Sequence, residues 1–92
     1  MTDRKDVRPG DVVLNLNGRD KGRVMLVIKT SDGNYADVCD GRKRRLENPK
    51  RKKICHLSFI GTIEIAPETA MTNKKLWTML RPYRETAAAE TI

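Results

Sequence analysis

The chain has 92 residues, which suits one small domain, and its 19 Lys and Arg outnumber its 12 Asp and Glu, giving a formal net charge of +7. No apolar run reaches the ~18 residues that a membrane-spanning helix needs. Residues 1–6 lack the apolar stretch of a secretory signal. These features exclude a membrane-spanning protein and predict a cytoplasmic location.

The first third of the sequence predicts two strands joined by a glycine loop. Residues 1–8 are polar and are expected to form a flexible N-terminus. A strand follows, because its two-residue period puts Val12, Leu14 and Leu16 on one face, in alternation with Val13 and Asn15. After the loop at residues 18–22, the run at residues 23–28 is apolar on both faces, which indicates a central strand.

Tight turns separate the next predicted strands. Residues 31–34 read Ser-Asp-Gly-Asn, a strong hairpin signal. The third strand is predicted at residues 35–39, and Asp40-Gly41 makes another turn. We expect a fourth strand at residues 43–47, ended by Asn48-Pro49 because proline cannot donate to a β-ladder.

A further strand or turn is expected at residues 54–59. Four or five short strands joined by glycine turns predict a mainly β fold, a small antiparallel barrel over residues 9–60. A small closed sheet needs few side chains to fill its interior, which suits a chain with 38% apolar and 4% aromatic residues.

Residues 61–84 are predicted to form a C-terminal strand, at residues 62–65, and a short helix. Thr72 is a candidate N-cap, and Pro82 should end or kink the helix. The apolar stripe of this helix consists of Leu76, Met79, Leu80 and Tyr83. We expect the stripe to pack on the barrel; the alternative is a surface for a partner, with Trp77 as a contact point. Residues 85–92 are expected to form a flexible tail.

The charge of the chain is concentrated in residues 42–56. This segment contains eight Lys or Arg and one acid, Glu47, so its formal charge of +7 equals that of the whole chain. A nucleic-acid backbone fits such a segment, since each neutralised phosphate releases counterions. The alternative is a solvated charged face or a disordered basic tail.

Residues 10–57 resemble a KOW domain. The resemblance rests on Gly10-Asp11-Val12-Val13, on the loop Gly18-Arg19-Asp20-Lys21-Gly22-Arg23 and on the apolar run that follows it. Residues 40–45 and 53–57 look like the KOW-bearing large-subunit ribosomal proteins of archaea and eukaryotes, and like their small bacterial relatives. The resemblance implies an SH3-like barrel of four to five strands and an RNA partner, often ribosomal RNA. Some KOW domains in transcription factors bind protein instead.

Basic residues of the glycine loop and of the segment after Gly41 are the candidate RNA ligands, because guanidinium groups grip phosphates bidentately and ammonium groups act as point charges. Gly18, Gly22, Gly33 and Gly41 are the candidate structural turn residues. Asp20 is expected to hold Arg19 or Lys21, or to cap the turn. The candidate RNA-binding residues are Arg19, Lys21, Arg23, Arg42, Lys43, Arg44, Arg45, Lys50, Arg51, Lys52, Lys53 and His56.

Other site classes find little support in the sequence. Cys39, Cys55 and His56 have no usual zinc spacing, and His56 either stacks on a base or packs in the core. With no phosphate-binding or nucleophile motif, we expect no enzyme, no cofactor and no small-molecule substrate. The predicted function is non-catalytic binding of ribosomal or other structured RNA. The alternative is a protein-interaction module of the translation or transcription machinery that uses the C-terminal helix.

Overall fold

The computed structural model describes residues 7–31, 33–64 and 70–90. Five strands form one antiparallel sheet in the order β4-β3-β2-β1-β5, and two short helices follow. The mainly β antiparallel fold predicted from the sequence is confirmed. The elements are β1 Asp11–Asn15, β2 Val24–Ser31, β3 Tyr35–Cys39, β4 Lys50–Lys53, a 3-10 turn Ile54–His56, β5 Leu57–Thr62, α1 Asn73–Met79 and α2 Arg81–Glu90.

The sheet is strongly curved, although no ladder joins its two edge strands within the described residues. Its edges, β4 and β5, are linked only by the 3-10 turn Ile54–His56. Four strand spacings in a flat sheet would span ~19 Å, whereas the short step from Lys53 to Leu57 covers at most ~14 Å. The sheet therefore rolls up like a barrel but stays open between β4 and β5.

Both faces of the curved sheet contribute to buried clusters. The concave face holds a cluster that includes Val13, Met25, Val27 and Val38. The outer face of β1 and β2 packs against the helices. β2 lies in the middle of the sheet and contributes to both clusters, which confirms the central position predicted from its continuous apolar run. The outer cluster consists of Val12, Val24, Leu26, Cys39, Leu76 and Leu80.

The helices pack on the sheet with the predicted stripe. Thr72 is the N-cap of α1, and its hydroxyl accepts a hydrogen bond from the backbone N–H of Lys75 at 3.1 Å. Leu76 and Leu80 are fully buried. Tyr83 lies against Gly61 of β5, where a Cβ atom would collide with its ring, and donates to the carbonyl of Thr62 at 3.3 Å. The apolar stripe therefore packs against the sheet of the same chain.

The predicted fourth strand is wrong. Residues 43–47 form a bend followed by a turn, and β4 is Lys50–Lys53. The backbone N–H groups of Arg42 and Arg44 donate to the buried carboxylate of Asp40 at 2.9 and 3.0 Å. Because the carboxylate takes these donors, the segment closes into a compact loop instead of extending a ladder.

The two ends of the chain also differ from expectation. Pro82 lies in the first turn of α2, where its missing N–H costs nothing, so the chain stays helical to Glu90 instead of becoming a tail at Glu85. Val7 is buried in the concave cluster. Residues 1–6, 32, 65–69, 91 and 92 lie outside the described residues, and these include the last residue of the strand predicted at 62–65.

Candidate nucleic-acid interface

The centre of the candidate site is a buried carboxylate in the glycine loop. Asp20 is 0% exposed. Its Oδ2 accepts hydrogen bonds from Nε and Nη2 of Arg44, both at 3.1 Å, and lies 3.3 Å from Nζ of Lys52. Its Oδ1 lies 3.7 Å from Nζ of Lys43. One acid therefore gathers three cations from two separate basic runs. The expectation that Asp20 holds Arg19 or Lys21 is wrong.

The glycine loop is shaped to place Asp20 there. Gly18 and Gly22 have φ angles of +80° and +86°, a conformation that side-chain-bearing residues rarely adopt. The N–H of Gly22 donates to the carbonyl of Asn15 at 2.8 Å, which closes the loop. Asp20 then points inward while Arg19 and Lys21, on either side of it, are exposed. The loop thus contributes two solvent-facing cations beside the three that Asp20 holds.

The register of β4 divides the second basic run between two faces. Lys50 and Lys52 stand opposite Val38 and Ala36, whose side chains lie in the concave cluster. Arg51 and Lys53 stand opposite Asp37 and Tyr35, on the other face. Since residues paired across a ladder share a face, only Lys50 and Lys52 can join the cations around Asp20. We call the set Arg19, Lys21, Lys43, Arg44, Lys50 and Lys52 the basic junction.

Electrostatics at the basic junction favour a charged Asp20. Burial raises the pKa of its carboxyl, but the hydrogen bonds and positive charges of Arg44 and Lys52 outweigh that effect and hold the pKa below its ordinary value. The carboxylate is therefore ionised at neutral pH. One negative charge faces three positive ones, so the junction keeps an excess of positive charge.

Two more carboxylates engage cations of the basic segment. Nε of Arg45 lies 2.9 Å from Oε2 of Glu47, and Nε of Arg51 lies 3.6 Å from Oδ1 of Asp37. Asp20, Asp37 and Glu47 thus engage five of the eight cations between Arg42 and Lys53. Three carboxylates cannot cancel eight cations, so the segment stays strongly positive.

The remaining candidates lie at the edges of the basic junction. The guanidinium carbon of Arg51 also lies 6.0 Å from the centroid of the Tyr35 ring, on the face of the sheet opposite to Lys52. His56 is half-buried in the 3-10 turn, and its carbonyl accepts from the N–H of Leu16 at 2.9 Å. Arg23 is exposed at the end of the glycine loop.

Sequence reasoning missed a second cationic group, built on Trp77. The guanidinium carbon of Arg84 lies 3.6 Å from the centroid of the indole, and that of Arg42 lies 4.5 Å from it. Nη1 of Arg84 also donates to the carbonyl of Trp77 at 2.7 Å. Burial lowers the pKa of Arg84; the negative charge of Asp40 opposes this effect, and the positive charges of Arg42 and Arg81 add to it. The seven-residue spacing from Trp77 to Arg84 was the available signal, but the predicted helix was expected to end or kink at Pro82, before it reaches Arg84.

No protein-family model matches this chain, and no curated protein matches it either. In the parts of the chain that the structure describes, no three His, Cys, Asp or Glu side chains come together as metal ligands do. Within the same parts, neither α1 nor α2 has the length and apolarity to cross a bilayer.

Proposed function

We propose that this protein is a non-catalytic, cytoplasmic RNA-binding module of the KOW type, which contacts ribosomal or other structured RNA through the basic junction. The observation that carries the proposal is the buried Asp20, which fixes Lys43, Arg44 and Lys52 beside the exposed loop. A random basic tail would not hold its cations in one place. Fixed cations can meet a set of phosphates whose spacing a folded RNA also fixes.

The chemistry of the junction suits phosphates. Cations that share one carboxylate repel one another, and an added phosphate would relieve that repulsion while releasing counterions. Arg19 and Lys21 are exposed, and neither makes a side-chain hydrogen bond or ion pair with any residue that the structure describes. They are free to bind phosphate at little cost to the fold. The loop that carries them is held by Asp20.

The protein-interaction alternative draws on the stripe of α1. Leu76 and Leu80 are fully buried against the sheet, so a partner could reach only the outer side of the helix. No contact in the described residues favours that function over RNA binding.

The test is the salt dependence of binding to a structured RNA such as ribosomal RNA fragments. Five or six phosphate contacts predict that log Kd changes with log salt concentration with a slope of magnitude roughly 3.5–5.5. Binding that does not respond to salt, or no binding in low salt, contradicts the proposal.

A matched pair of variants tests whether the basic junction itself, and not net charge in general, binds the RNA. Arg19→Ala with Lys21→Ala should weaken binding to all RNAs alike and make the slope shallower by about 1.4–1.8, since two phosphate contacts are lost. The control, Lys29→Ala with Lys75→Ala, removes the same charge from exposed positions outside the junction. Equal losses in the two variants would show that net charge, and not the junction, binds RNA.

A further inference from the structure

A pocket lies where the end of the glycine loop meets the two helices. Its volume is about 380 Å³, within the range of small-molecule sites. Leu14, Val24 and Ala87 give it apolar walls, and Trp77 forms part of its lining. The pocket is not part of the basic junction.

Charged groups stand at the same pocket. Arg23 and Arg84 line it together with Asp40. Arg42, which lies over the Trp77 ring, adds a third guanidinium beside it. Arg23 is exposed, and its side chain makes no hydrogen bond or ion pair to another described residue. Guanidinium groups beside apolar walls suit a flat ring that carries an anion. The Asp40 carboxylate is already engaged by the backbone N–H groups of Arg42 and Arg44.

We propose that this pocket binds one unpaired nucleobase of a bound RNA, with the attached phosphate held by Arg23 and Arg42. This inference rests on the proposed function and adds a contact to a base, whereas the junction contacts phosphates. The apolar walls cover the ring, and the guanidinium planes at Trp77 supply a surface on which bases stack. Arg84 is partly buried over the Trp77 ring and lines the pocket, so its guanidinium is held where a bound ring would lie.

The position of the pocket fits an RNA that also contacts the junction. Arg23 directly follows Gly22, the last residue of the loop that carries Arg19 and Lys21. Arg42 and Asp40 belong to the same compact loop as Lys43 and Arg44. A strand whose phosphates lie along the junction can therefore place a neighbouring unpaired base in the pocket.

The first experiment uses the single tryptophan of the chain. The indole N–H of Trp77 gives one cross peak in a proton–nitrogen NMR spectrum. AMP, GMP, CMP and UMP are titrated into the intact protein, with ribose 5-phosphate as the ligand that lacks a base. We expect at least one mononucleotide to move the peak at a concentration roughly 10-fold lower than ribose 5-phosphate, because stacking adds to phosphate binding. Equal responses, or none, overturn the base pocket.

The second experiment fills the pocket. Ala87→Leu places extra carbon in the cavity and leaves every cation in place; Thr86→Leu is the control on the same helix, outside the lining. Both variants are compared by thermal melting first. Ala87→Leu should weaken binding to single-stranded poly(U) by roughly 10-fold and leave binding to inorganic polyphosphate unchanged. If a folded Ala87→Leu binds poly(U) as wild type does, the pocket holds no base.

The two proposals fail separately. Steep, salt-dependent binding of structured RNA with no response of Trp77 to nucleotides overturns the pocket alone. A base-dependent response of Trp77 with no binding of structured RNA overturns the proposed function and leaves a nucleotide site.

Discussion

Asp20 is the residue on which the arrangement of the candidate site depends. It lies between two exposed cations in the sequence, yet its partners are Arg44 and Lys52, 24 and 32 positions away. Taking a carboxylate out of water is costly unless it is paired and hydrogen-bonded. Here the hydrogen bonds from Arg44 offset that cost. Without Asp20, three like charges would stand close together with nothing between them.

We predict that Asp20→Asn lowers the free energy of unfolding by about 2–3 kcal/mol at neutral pH, because it leaves partly buried Arg44 and Lys52 without their counter-charge. Chemical denaturation measures the change. Lys43→Ala is the matched comparison, since Lys43 is more exposed and 3.7 Å from the carboxylate, and it should cost less than ~1 kcal/mol. Similar losses in the two variants would show that Asp20 does not organise the junction.

The pH dependence of stability follows from the same residue. The folded pKa of Asp20 lies below the unfolded one, so its contribution is complete above about pH 4 and is lost as the pH falls through the folded pKa. Hydrogen bonds from Asn73, from its own backbone and from Arg45 likewise lower the pKa of Glu47 to about 2. The free energy of unfolding should therefore fall between about pH 4 and pH 2.

Asp20→Asn should make that fall shallower, as followed by denaturant titrations at a series of pH values. Glu47→Gln is the control at an exposed carboxylate and should change the curve less. A wild-type stability that stays constant below pH 4 would contradict the ion-pair account.

At the scale of elements, α1 holds the basic loop in place. Oδ1 of Asn73, the first residue of α1, accepts from the N–H of Leu46 at 2.7 Å, and its Nδ2 donates to Oε1 of Glu47 at 2.9 Å. Gly41 packs directly on the carbonyl of Asn73. The helix therefore does more than cover the outer cluster, because it also fixes the loop that supplies Lys43 and Arg44.

Gly41 and Gly22 offer a test of this packing. Both have positive φ, +85° and +86°, but a Cβ at Gly41 would collide with Asn73 whereas one at Gly22 meets nothing within 4 Å. Gly22→Ala should lower the free energy of unfolding by about 1–2 kcal/mol, because alanine is strained at a positive φ. Gly41→Ala should cost about 1–3 kcal/mol more, the added cost of overpacking. Thermal and chemical denaturation measure both, and equal losses would show that the loop does not need its contact with α1.

The elements differ in how far the sequence predicts them. β2 has an apolar run with two buried faces, and Thr72 is an N-cap followed by a stripe, so local pattern was sufficient for both. β4 has no pattern, since Lys-Arg-Lys-Lys has no apolar residue, and it is a strand only because β3 lies beside it. α2 was missed because Pro82 signals both the end of one helix and the first turn of the next.

In the candidate site too, some features are predictable from the local sequence and others depend on tertiary contacts. The glycine positions and the basic segment are visible in the sequence, but the pairing of Asp20 with Arg44 depends on how the folded chain brings the glycine loop against residues 42–45. Lys43 and Arg44 precede a turn rather than belonging to a strand, so alternation could not assign their faces. Only the folded chain distinguishes Lys52 from Lys53 as a partner of Asp20.

At the scale of the whole molecule, two electrostatic effects act on stability in opposite directions. The net charge of +7 causes repulsion that destabilises the fold, and the ion pairs stabilise it. Repulsion among excess cations lowers the stability of a compact state, whereas salt weakens the attraction of Asp20 for Arg44. Exposed charges are screened far more than buried pairs, with a Debye length of about 8 Å at 0.15 M salt. Since Asp20 is buried and the excess cations are exposed, relief of repulsion should prevail.

Raising NaCl from low concentration to about 0.15 M should therefore stabilise the protein, by about 1 kcal/mol or a rise of about 4–8 °C in Tm. Sulfate at equal ionic strength should raise Tm further, because an anion that binds only the folded junction adds its binding free energy. Arg19→Ala with Lys21→Ala should reduce both increments, since two repelling cations and two anion ligands are gone. A Tm that falls with NaCl would mean that the pairs at Asp20 outweigh the repulsion, and that the junction has no excess charge to offer an RNA.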